Sequence, residues 1–71
     1  MNLFGENTKT YLLTTKHIDY AVKVEAKDEW EMMKTWDAIG FPASGVFYSN
    51  PKNPKVKGKR LLTTEEYREM K

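Results

Sequence analysis

Cysteine is absent from the 71-residue chain, and histidine occurs once, at His17. The first absence excludes a disulfide framework and thiolate ligation of zinc, and it suits a reducing interior. With one imidazole and no thiol, a usual structural zinc site lacks its ligand set, and acid–base work by His17 has no partner at a telling spacing. Glycine is sparse, with four residues, and none falls in a phosphate-loop or nucleophile-elbow pattern that would give the many serines and threonines a catalytic setting. Charges recur too often for a membrane span, and Met1-Asn2-Leu3-Phe4-Gly5-Glu6 lacks the basic and apolar regions of a secretory signal. The expectation is a cytoplasmic protein that is not an enzyme, with no cofactor, no metal and no membrane attachment.

A chain this short buries only about 60% of its unfolded surface, so residues 1–71 make one small domain with a thin core. A homodimer is one way to supplement it. The clearest element runs from Asp28 to Pro42. Asp28 has the character of an N-cap, and Glu31 follows at capping-box spacing. A step of about 100° per residue places Met32, Met33, Trp36 and Ile39 on one face, and Gly40 and Pro42 mark the helix end. Trp30 lies toward the edge of the apolar arc and is expected to be partly exposed. Asp28, Glu29 and Glu31 read as charges opposing the helix dipole rather than as catalytic carboxylates.

Residues 1–8 read as a lead-in tail. Lys9–Thr15 is rich in strand formers, and Ile18–Ala26 alternates apolar and polar residues, so the Thr15-Lys16-His17 link implies a hairpin. The register of the first strand is open, because Leu12 and Leu13 point opposite ways. Ser44–Ser49 reads as a third strand. Residues 51–60, Pro51-Lys-Asn-Pro-Lys-Val-Lys-Gly-Lys-Arg60, read as a basic loop or extended arm. Leu61-Leu62 returns to the sheet, and Thr63 with Glu66 repeats the capping-box spacing before a short terminal helix. The expected fold is α+β: an antiparallel hairpin and a third strand packed against one central helix (β-β-α-β), with a basic loop and a short C-terminal helix.

Function is carried by charge placement. Residues 51–63 hold five basic and no acidic side chains, whereas residues 1–50 hold five basic and seven acidic. Lys52, Lys55, Lys57, Lys59 and Arg60 make a local positive potential, and alternation would line Lys55, Lys57 and Lys59 along one side of an extended arm. Tyr48, just upstream, offers a ring for stacking, which is the usual division of labour in single-strand binding. The expectation is a non-enzymatic module that contacts nucleic acid by counterion release; the bland alternative is a solvated loop that confers solubility. A second expectation is a protein-binding regulator that grips a larger target through Trp30, of the kind that small viral or mobile-element accessory proteins often are. Ser44-Gly-Val-Phe-Tyr48 resembles the glycine–aromatic signature of the RNA-recognition fold, but the leading helix and full aromatic pattern are missing. The order helix, Gly40-Phe-Pro42, Lys57-Gly-Lys-Arg60 and Thr63–Tyr67 is similar to the winged helix of small excisionase-type DNA binders, without the second helix such a wing follows. Neither family is assigned.

Overall fold

The computed structural model describes residues 8–70. The expected lead-in therefore lies, but for Thr8, outside the described residues. Strands β1 (Lys9–Thr14) and β2 (Tyr20–Ala26) form the antiparallel hairpin, with Tyr11 opposite Val24 and Leu13 opposite Val22. The second strand starts at Tyr20 rather than Ile18 because the turn consumes the residues between: Thr15 Oγ1 accepts from His17 N at 3.1 Å and Thr15 O from Ile18 N at 3.4 Å.

Helix α1 (Glu29–Ile39) begins and ends where its sequence marks it. Asp28 Oδ1 accepts from Glu31 N at 3.0 Å, while Glu31 Oε1 accepts from Lys27 N at 3.2 Å, one residue earlier than a strict capping box. At the other end Gly40 adopts φ 73°, the left-handed conformation that a residue without Cβ takes most readily. Strand β3 (Val46–Tyr48) is shorter than the expected Ser44–Ser49, because Gly45 N turns back to Pro42 O at 3.0 Å and is lost to the ladder. β3 pairs antiparallel with β1.

Leu61-Leu62 makes a fourth strand, β4 (Arg60–Thr63), which pairs parallel to β2 with Leu62 beside Val22. Helix α2 (Thr64–Met70) follows at once. Its capping box is reciprocal: Thr63 N donates to Glu66 Oε1 at 2.9 Å, and Glu66 N to Thr63 Oγ1 at 3.1 Å. The architecture is α+β, with a mixed sheet in the order β3-β1-β2-β4.

The sheet has two covered faces. On one, Tyr11, Leu13, Val22 and Val24 meet Met32 and Ile39 of α1, Phe41 from the loop after it, and Tyr67 of α2. Trp36 is half-buried against this cluster, and its indole N–H donates to Phe41 O and Pro42 O at 3.0 and 3.2 Å. Met33 departs from expectation: it is 56% exposed. Met32, Trp36 and Ile39 follow the i, i+4, i+7 row, and Met33 stands about 100° beyond that row. On the other face Leu12 and Ala21 are buried beneath Val56, with Tyr48 packed beside them. Leu12 and Leu13 point opposite ways, and each finds a core.

Candidate functional site

Strand order dictates where the basic segment goes. β3 and β4 occupy opposite edges of the sheet and run in the same direction. The chain leaving Tyr48 must therefore traverse the open face and return to the far end of the sheet before entering β4. Residues 49–59 make this traverse, and Val56, only 2% exposed, seats them on Leu12 and Ala21. Of the loop or extended arm expected from the sequence, the structure shows the loop, laid on the sheet as a strap. Covering Leu12 and Ala21 removes apolar area from water, and an arm in solvent would leave it exposed.

The strap is shaped by two consecutive Asn-Pro turns. Asn50 Oδ1 accepts from Lys52 N at 2.9 Å, and Asn50 O accepts from Asn53 N at 2.9 Å. Three residues later the pattern recurs: Asn53 Oδ1 accepts from Lys55 N at 2.8 Å, and Asn53 O from Val56 N and Lys57 N, each at 2.9 Å. Asparagine side chains imitate a backbone turn in this way, and the following proline presets φ. Asn50-Pro-Lys52 and Asn53-Pro-Lys55 are thus a tripeptide repeat that places Lys52 and Lys55 at equivalent positions. Gly58, at φ 88°, then turns the chain toward the hairpin, with Lys59 N donating to Val56 O at 3.0 Å.

The turns break the alternation expected of Lys55, Lys57 and Lys59. Lys52, Lys55, Lys57 and Arg60 are exposed, whereas Lys59 is half-buried and points inward. Its Nζ donates to Thr14 Oγ1 at 2.8 Å and to Thr15 O at 2.7 Å. Thr14 is itself buried, and its hydroxyl donates to Tyr20 O at 2.9 Å. Lys59 thereby ties the strap to the end of the β1–β2 hairpin.

Beside this tie opens a cleft of about 340 Å³. Lys55 and Lys59 line it from the strap, Thr14, Thr15, Lys16 and His17 from the hairpin end, and Ser44, Val46 and Tyr48 from β3 and its approach. No carboxylate is among these residues. The structure brings Lys55, Lys59 and Tyr48 together, and it leaves Lys52, Lys57 and Arg60 on the open surface outside the cleft. Thr14, Thr15, Lys16, His17 and Ser44 were missed by sequence reasoning. His17 does sit in the turn as expected, but only the traverse from β3 to β4 shows that this turn faces the basic segment. The signal available was Leu61-Leu62: a strand returning beside β2 after a third strand beside β1 obliges the intervening residues to cross.

Trp30 stands apart, on the helix-covered side. It is 71% exposed, with Lys34 Nζ 5.8 Å from its ring centre. Among the described residues, no group of three or more His, Asp or Glu side chains is placed to hold a metal, and no helix is long and apolar enough to cross a membrane. Comparison with protein-family models, curated proteins and solved structures gives no match.

Proposed function

We propose that this protein is a non-enzymatic, cytoplasmic binding module that contacts nucleic acid through the strap. The observation that carries the reading is a run of exposed cations on a backbone shaped by its own turns. Val56 is seated on the sheet, both Asn-Pro turns are closed, and Lys52, Lys55, Lys57 and Arg60 project from this ordered base. Ordering a flexible arm on binding costs free energy, and a pre-shaped segment avoids that cost. Phosphates are the natural complement of clustered cations, and release of their counterions supplies a largely sequence-independent affinity. Tyr48, half-buried at the strap's start, adds an aromatic wall where a base can stack.

Fluorescence anisotropy with labelled single- and double-stranded oligonucleotides at two salt concentrations tests this. Affinity is expected to fall steeply with salt, and Lys57→Glu is expected to weaken binding and flatten the logarithmic salt slope by about 1. No binding at low salt refutes the reading.

One observation favours a second reading, a regulator that binds a larger protein target. Trp30 and Met33 are neighbours on one helix surface and are 71% and 56% exposed, whereas large apolar groups of this kind ordinarily find cover in a thin core. A single stoichiometric protein retained from lysate after nuclease treatment, and lost with Trp30→Ala, supports it; retention unaffected by Trp30→Ala counts against it.

A further inference from the structure

Lys59 poses an electrostatic question that the fold leaves open. Its ammonium is half-buried, and its two acceptors, Thr14 Oγ1 and Thr15 O, are neutral oxygens. An ammonium has three N–H donors, so one remains for a further acceptor, and its charge meets no carboxylate in the cleft. Lys16, His17 and Lys55 line the same space, so positive or protonatable groups converge from two elements. The hydroxyls around them are available. Thr15 Oγ1 accepts from His17 N and keeps its hydrogen to donate, and neither Ser44 nor Tyr48 spends its hydroxyl on another described residue. A site that offers ammonium and hydroxyl donors from more than one element suits a compact, multiply charged acceptor.

We propose that this cleft is a binding site for the phosphate monoester of a nucleotide, either free or at the end of a nucleic-acid strand. A monoester differs from the diester of a strand interior in carrying close to two charges and three terminal oxygens at neutral pH, and both match the converging donors. Lys59 and Lys55 bind the phosphate from the strap and Lys16 from the hairpin end, and the hydroxyls of Thr15 and Ser44 donate to its oxygens. Val46 and Tyr48 supply the apolar and aromatic wall that the attached nucleoside needs. At about 340 Å³ the cleft lies at the small end of ligand sites, which run to roughly 300–1,000 Å³. The inference rests on the nucleic-acid reading for the strand-end source only; a free nucleotide does not require it.

The test compares oligonucleotides of one sequence bearing a 5′-phosphate, a 3′-phosphate or only hydroxyl ends, together with a nucleoside monophosphate and inorganic phosphate at matched ionic strength. Anisotropy gives affinities, and amide NMR shifts locate the contact. One charge-assisted set of bonds predicts roughly tenfold tighter binding of a phosphorylated end, with shifts at residues 14–17 and 44–48. That preference falls in Lys16→Ser/Lys55→Gln, two exposed positions whose replacement leaves the fold intact, and in Lys59→Met where that variant folds. Lys57→Gln, outside the cleft, lowers affinity for all oligonucleotides alike and keeps their ratio. Binding of the monophosphate with no preference among strand ends assigns the site to a free nucleotide. If neither phosphorylated ends nor monophosphate nor inorganic phosphate moves those amides, the cleft proposal is overturned, even if every oligonucleotide binds the strap. If the monophosphate binds and no oligonucleotide does, the cleft stands and the nucleic-acid reading falls.

Discussion

Val56→Ala separates a strap from an arm. The substitution removes two methyl groups from a side chain 2% exposed, wedged against Leu12 and Ala21. At about 0.8 kcal/mol for each buried methylene-sized group the transfer loss is roughly 1.6 kcal/mol. The void left under a segment pinned by its own turns raises this toward about 2–3 kcal/mol. A domain of this length holds roughly 4–11 kcal/mol in all, so the loss is a sizeable part of it. At about 4–8 °C per kcal/mol, the midpoint of thermal unfolding should fall by on the order of 10 °C or more. Circular dichroism melts and urea titrations measure it. Val46→Ala is the control: the same atoms are removed from a residue 46% exposed, and the expected change is within about 0.5 kcal/mol. Equal, small effects from both valines would refute the packing of residues 49–59 on the sheet, and the reasoning about a pre-shaped strap would go with it.

Trp36→Ala should cost on the order of 3 kcal/mol through lost packing and the lost indole donor to Phe41 O, and Trp30→Ala almost nothing, as urea unfolding followed by the remaining tryptophan will show. Gly45→Ala should destabilise by about 1–3 kcal/mol, because a Cβ there would come within 2.5 Å of Phe41 Cε2, and that ring is hemmed in by Trp36 and Tyr67 at 5.7 and 5.6 Å; an unchanged melting midpoint would disprove the clash. Burial, and then the neighbouring Tyr20, raise the Tyr67 phenol above its ordinary 10.0. The folded chain therefore keeps that proton to higher pH than the unfolded chain, and the associated stability is intact below about pH 10 and is lost as pH rises beyond it. Tyr67→Phe should make the alkaline loss of stability shallower in urea titrations at about pH 9 to 11, and an identical slope would contradict the burial argument.

Local chemistry explains which parts of the fold were legible in advance. Asp28, Glu31 and Gly40 act on groups a few residues away, and so do Thr63 and Glu66, so both helices could be placed from spacing alone. The hairpin was equally local. Gly45 was legible only as part of a glycine–aromatic stretch; its reason is Phe41, whose ring passes where a side chain would stand. The position of Lys59 was the largest misreading. In the sequence it is one of five similar cations, and nothing nearby distinguishes it from Lys57. What distinguishes it is Thr14, forty-five positions away, brought there by the parallel pairing of β2 with β4. The second Asn-Pro pair was within reach of local reasoning, since asparagine before proline favours turns and the tripeptide recurs at once.

The parallel pairing of β2 and β4 also sets an order of assembly. The hairpin closes over a turn of a few residues, whereas Tyr20 meets Arg60 only after the intervening thirty-nine residues have been gathered. Loop-closure entropy disfavours such a contact relative to the hairpin, as it does the β1–β3 pairing of Leu12 with Tyr48. Both edge strands and the strap between them are therefore expected to form after the hairpin and to open before it. A ligand held between Lys59 and the hairpin end would clasp the strap and β4 to the hairpin, and its signature would be slowed hydrogen exchange that extends from β4 into α2.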